Sequence, residues 1–226
     1  MNPVKSPAAD TPIQRTVARS AEFDQRLRAY IAAASAAGVG VLALTQSAAA
    51  KIVYTATHKT VQMNHAVPID LNHDGIHDFD VFNLTHNSTT PFGSYVAAEP
   101  LNSGNQMLVQ RSNRGYAAAA LAANVRVGPH AKPFHAGRDL MAYRSYGTST
   151  RSGGPWKNVN KRYLGFKFLI KGKIHYGWAR LNLSIQNRVI TTTLTGYAYE
   201  TVPNKAIVTG RTKNQAGLGA LAQGSQ

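Results

Sequence analysis

Residues 163–199 read YLGFKFLIKGKIHYGWARLNLSIQNRVITTTLTGYAY, and this stretch decides the fold class. Leu164, Phe166, Phe168 and Ile170 recur at every second position, which puts them on one face of an extended strand. Lys171-Gly172 follows as a tight turn, since glycine accepts the positive φ that a two-residue hairpin needs. Lys173–Ile185 returns, Gln186-Asn187 turns again, and Val189–Tyr199 runs back. Thr191, Thr192 and Thr193 are β-branched, good in a strand and poor in a helix. The stretch therefore predicts an antiparallel meander of three strands.

Upstream, strand signals continue. Lys51–Thr57 (KIVYTAT) is an opening strand, and Val67–Leu71 and Phe79–Leu84 flank an aspartate-rich loop. Tyr95–Ala98 and Met107–Gln110 are shorter candidates. Tyr116–Asn124 (YAAAALAAN) is the one helical-looking stretch, with an irregular loop leading to Val125–Gly128 as the alternative. Ala131–Asn160, rich in Gly, Ser, Pro and bases, reads as loops with a strand candidate at Leu140–Tyr143. Many strands, short turns and almost no helix predict an all-β, antiparallel, jelly-roll-like β-sandwich over residues 51–211, followed by a polar tail over 212–226.

Residues 1–50 read as an N-terminal export signal with a signal helix. Arg26 and Arg28 precede the uncharged run Ala29–Leu44 (AYIAAASAAGVGVLAL), and Ser47-Ala48-Ala49-Ala50 supplies small residues for cleavage. Cleavage after Ala50 would leave Lys51 as the mature N-terminus. The run is short for a membrane span, which takes about 20 residues. A retained anchor or a packed alanine-rich helix is the alternative, because the 28-residue polar lead is long for a signal. The expectation is a secreted or cell-envelope protein with no transmembrane span in the mature chain.

The chain has 226 residues and no cysteine, which excludes disulfides, thiolate catalysis and zinc–thiolate sites. Residues 1–50 hold five of the 25 bases and three of the 10 acids, leaving 20 and 7, a net +13 for the rest. Such a surface favours anionic partners, of which anionic polysaccharide or the cell envelope fit an exported chain. The bases are scattered, so no basic arm or helix for specific nucleic-acid binding stands out.

Four of the seven acids after residue 50 lie in Asp70–Asp80 (DLNHDGIHDFD), a clustering that costs repulsion unless a cation offsets it. Calcium takes six to eight oxygens, and side chains at loop positions 1, 3 and 5 converge when the chain wraps around one point. Those positions are Asp70, Asn72 and Asp74. Gly75 permits the turn, Ile76 offers its carbonyl at position 7, and Asp78 stands at position 9, direct or through water. An EF-hand would carry a bidentate glutamate where Val81 stands, and would have helical flanks. Affinity of the order of 10⁻⁴–10⁻³ M is expected of such an extracellular module. Asp80 reads as a neighbour of the site, not a ligand. The competing reading is a polar Asx turn between strands.

No catalytic site is recognisable. Serines lack a G-x-S-x-G elbow, phosphate and dinucleotide fingerprints are missing, and outside the loop only Glu99, Asp139 and Glu200 remain as acids after residue 50. The eight histidines (His58, His65, His73, His77, His86, His130, His135, His175) lack zinc-site spacing and read as structural or solvent-facing. Tyr176 and Trp178 share one strand face. Buried, they fill a core; exposed, they would stack on sugar rings.

The aspartate loop resembles, in a single copy, the strand–loop–strand calcium loops of FG-GAP and thrombospondin type 3 repeats. DLNHDGIHDF (70–79), YLGFKF (163–168), HYGWAR (175–180), GYAYETVPNKAI (196–207) and the SAAAKIVYT junction (47–55) together resemble uncharacterised secreted bacterial proteins of the PEP-CTERM-associated type. That resemblance implies an exported jelly-roll-like sandwich of the envelope or matrix, without known chemistry. The tail AGLGALAQGSQ lacks the Pro-Glu-Pro and terminal arginines of such sorting regions. The reading is a non-enzymatic exported protein stabilised by a calcium loop; the alternative is a lectin-like module for acidic polysaccharide.

Overall fold

A computed structural model of the chain describes residues 51–86, 92–113, 115–131, 133–146, 151–187 and 189–213. The expected signal helix and most of the expected tail lie outside the described residues. The chain is all-β. In order the strands are β1 (Ile52–Thr60), β2 (His65–Ile69), β3 (Phe79–His86), β4 (Phe92–Pro100), β5 (Gln106–Ser112), β6 (Gly115–Ala118) and β7 (Arg126–Val127). Then come β8 (Phe134–His135), β9 (Asp139–Tyr146), β10 (Arg151–Gly153), β11 (Val159–Ile170), β12 (Lys173–Gln186), β13 (Val189–Glu200) and β14 (Ile207–Val208).

One large sheet runs in the order β1-β13-β12-β11-β5-β6-β9-β4-β3-β2, with β8 added on β5 and β10 on β9. Its two edges, β1 and β2, are consecutive in the chain. The short connection between them bonds across the gap: Val61 N–H donates to the Thr192 carbonyl and Asn64 N–H to the Asn83 carbonyl. The Asn83 side-chain amide reaches the Ile190 carbonyl from the other side. The sheet is thus nearly closed on itself, which shields the unpaired backbone of its edges.

The predicted meander is present. β11 pairs with β12 from Ile170↔Lys173 onward, and β12 with β13 down to Gln186↔Val189. Lys171 and Gly172 both take positive φ, 50° and 75°, as the tight turn requires. The second turn comes one residue later than Gln186-Asn187, because β12 keeps pairing through Gln186. Leu164, Phe166 and Phe168 are fully buried and Ile170 packs on the same core. Phe166 stacks on Phe79 of β3 at 4.1 Å between ring centroids. Since β3 and β11 are far apart in the sheet order, this contact crosses the interior and brings the two halves face to face.

β12 is buried on both faces. Tyr176 (3% exposed) and Trp178 (0%) lie in a second apolar cluster on the opposite face, with Leu108, Val127, Tyr163, Ala198 and Ile207. The β7–β14 ribbon contributes Val127 and Ile207 to that cover. This aromatic pair is core and has no face to offer a sugar.

Two expectations are corrected. Tyr116–Asn124 is not helical: its start is strand β6, and Ala117, Ala118 and Ala119 are all buried. Alanine favours a helix in isolation, but its small side chain also suits a strand covered on both faces, and tertiary packing overrides the propensity. Trp156 sits against it and donates its Nε1 proton to the Ala118 carbonyl at 2.9 Å. Ala131–Asn160 is not mainly loop either. It holds β8, β9 and β10, and β9 pairs with β4 from Phe92↔Tyr146 to Ala98↔Asp139. The strand expected at Leu140–Tyr143 is β9, which runs further, to Tyr146, past Arg144 and Ser145 where the apolar pattern breaks.

Burial raises the ionisation of Tyr176, Tyr197 and Tyr199 above the ordinary 10.0. The folded chain then holds these protons where the unfolded chain loses them, so stability is intact below pH 10 and falls as the pH climbs above it. In a 295 nm titration these phenols are expected to ionise together with unfolding. Ionisation of all ten tyrosines at ordinary pH without any loss of structure would contradict the burial.

Candidate functional site: the aspartate loop

The loop joins β2 to β3, and the two strands pair directly from Ile69↔Phe79. Residues 70–78 must therefore turn back within a short span. The chain does so by wrapping around its own carboxylates. Asp70 accepts the His73 N–H on Oδ1 at 2.7 Å and the Gly75 N–H on Oδ2 at 2.9 Å. Asp74 accepts the Ile76 N–H on Oδ1 at 2.9 Å and the Asn72 amide on Oδ2 at 2.8 Å. His73 and Gly75 take positive φ, 60° and 86°, which makes the tight winding possible. These bonds hold the Asp74 carboxyl below the usual carboxylate range, with the Ile76 N–H as the largest cause.

Asn72 Oδ1 is buried and has no hydrogen-bond partner. An unsatisfied buried acceptor is costly, and in a loop carrying Asp70 and Asp74 it is the donor atom a hard cation would use. Each oxygen of Asp70 accepts one backbone proton, which leaves lone pairs on both. Among the described residues no three His, Asp or Glu side chains converge closely enough to form a metal group by themselves. A cation here would depend on Asn72 and on the Ile76 carbonyl beside Asp70 and Asp74, a donor set that suits calcium.

Asp78 occupies a different position. It is 4% exposed, accepting the Leu71 N–H on Oδ2 at 2.9 Å and the Asn105 amide on Oδ1 at 3.3 Å. Burial pushes its carboxyl up to about 6, and the two hydrogen bonds pull the other way. Asp78 thus ties the base of the loop shut. Asp80 lies on β3 opposite Glu99; burial and the Glu99 charge push its carboxyl up. Arg138 grips Glu99 with two hydrogen bonds of 2.8 and 3.1 Å and covers Phe82.

Sequence reasoning missed Asn105. It is 1% exposed, and its amide donates to both the Asp78 carbonyl and carboxylate while its Oδ1 accepts the Leu169 N–H at 3.1 Å. One side chain thereby joins the loop to the end of β11. Its partners lie 27 and 64 residues away, so no local pattern announces it. Asn105→Ala is expected to cost about 2 kcal/mol, because it strands buried groups on both sides. Urea unfolding measures this, and a loss indistinguishable from zero would contradict the linking role.

The histidines are structural or exposed where described. His73 Nε2 lies 2.6 Å from Thr55 Oγ1 and its ring faces Tyr197, so the loop also touches β1 and β13. His175 is buried with Nδ1 3.0 Å from the Glu200 carbonyl. His135 Nδ1 pairs with the buried Asp139 at 2.8 Å. Glu99 and Glu200 are taken up in ion pairs with Arg138 and Lys205, and Asp139 is hydrogen-bonded to His135. Among the described residues no helix is long and apolar enough to cross a membrane.

Compared with protein-family models, with curated proteins and with solved structures, the chain matches none.

Proposed function

We propose that the chain is an exported, non-enzymatic protein of the envelope or extracellular matrix whose aspartate loop is ordered by calcium. The observation that carries this reading is the loop itself. Asp70 and Asp74, held by backbone N–H groups, share one short loop with the unpartnered buried amide oxygen of Asn72. Asp70, Asn72, Asp74 and the Ile76 carbonyl would hold the ion, while Asp78, expected from the sequence at position 9, is engaged by the Leu71 N–H and the Asn105 amide and ties the base of the loop. Calcium would offset the charge that the loop concentrates and couple β2 to β3; its role is structural. Export rests on the residue 1–50 pattern, and the PEP-CTERM-type likeness on the segments quoted for it. The face-to-face halves support describing the scaffold as a jelly-roll-like sandwich. The basic balance leaves an anionic partner open, but the lectin alternative loses its aromatic pair to the core.

The test is thermal unfolding with calcium or with EDTA. A higher melting temperature with calcium but not with magnesium is the expected result. An identical melt in all three would reduce Asp70–Asp78 to a turn.

A further inference from the structure

Four of the seven large exposed hydrophobics among the described residues gather at the loop end of the domain: Ile76 (59% exposed), Leu101, Leu169 and Ile174. Hydrogen bonds and pairing connect them. Leu101 N–H donates to the Asp78 carbonyl, two residues from Ile76. Asn105 joins Asp78 to Leu169, and Leu169 pairs across the hairpin with Ile174. Lys171 and Lys173 stand exposed at the tip of that hairpin, in no ion pair among the described residues.

We propose that this end docks on an anionic phospholipid surface, with the aliphatic side chains entering the headgroup layer and the two lysines meeting the phosphates. The inference rests on the calcium reading of the loop. Asp70 and Asp74 on their own repel an anionic surface, and a bound calcium ion cancels their two charges and leaves Lys171 and Lys173 to set the sign at this end, so docking is calcium-dependent. Separate aliphatic points around a charged rim suit a fluid interface. A sugar would be met by exposed aromatic rings, and the candidate pair for that is buried.

The test is co-sedimentation of the full chain with vesicles of phosphatidylcholine alone or mixed with phosphatidylglycerol, in calcium and in EDTA. Two variants accompany it. Leu101→Ser/Ile174→Thr removes apolar tips outside the calcium loop. Lys171→Asn/Lys173→Gln removes charge, and asparagine keeps the positive φ of residue 171 accessible. Binding to the mixed vesicles that falls at least tenfold in EDTA and in each variant is expected, with calcium titration of the variants unchanged. Calcium binding without vesicle binding overturns the docking and leaves the calcium site standing. Vesicle binding that neither variant nor EDTA alters overturns it as well, assigning attachment to another part of the chain. Absence of calcium binding overturns both. Calcium-dependent self-association without vesicles would make a second copy the occupant and overturn the lipid assignment.

Discussion

Phe166→Ala is expected to cost about 3–5 kcal/mol, the range for deleting a buried phenyl ring where the surroundings cannot collapse into the gap. The ring is fully buried, lies on Phe79 at 4.1 Å and 21° between planes, and joins two strands that no ladder connects. Its loss therefore opens the core at the contact between the two halves of the sheet. Domains of this kind are stable by about 5–15 kcal/mol in all, so the variant can be largely unfolded when expressed. Phe166→Leu keeps most of the volume and is expected to lose less than half as much. Urea unfolding of both variants measures the difference. A loss below about 1 kcal/mol for the alanine variant would mean that this ring does not hold the halves together.

The second large effect concerns calcium. With a dissociation constant of the order of 10⁻⁴–10⁻³ M, calcium at about 10 mM should stabilise the fold by about 1.4–2.7 kcal/mol through binding only the folded form. Asp70→Asn/Asp74→Asn is the informative variant. Asparagine keeps one acceptor oxygen at each position, enough for the His73 or the Gly75 N–H at 70 and for the Ile76 N–H at 74, so the turn keeps part of its bonding while both charges go. In EDTA this variant is expected to melt somewhat below the unaltered chain, having lost one acceptor at each position, and calcium should no longer raise its melting temperature. Alanine at the same positions would also break the turn and confuse the two roles. A variant that keeps its full calcium response would remove Asp70 and Asp74 from the site.

Much of the fold was legible locally. Alternation at Leu164, Phe166, Phe168 and Ile170, with Lys171-Gly172 behind it, marks a hairpin without reference to anything distant, and the hairpin is there. The aspartate loop was equally legible, because Asp70, Asn72, Asp74 and Gly75 act on one another within a few residues. What failed depends on remote partners. The alanines of β6 form a strand only because β5 and β9 flank it and Trp156 caps it. The second core over Trp178 needs the chain beyond residue 200 to return as β14. Asn105 acts through groups on β11 and in the loop that no sequence window contains together.

The most direct test of the calcium reading is calorimetric titration of calcium into EDTA-treated, dialysed protein, with Asp70→Asn/Asp74→Asn alongside. One binding site, absent from the variant and accompanied by a rise in melting temperature, is the predicted result. No heat and no thermal shift at millimolar calcium would contradict it and leave Asp70–Asp78 a self-bonded turn.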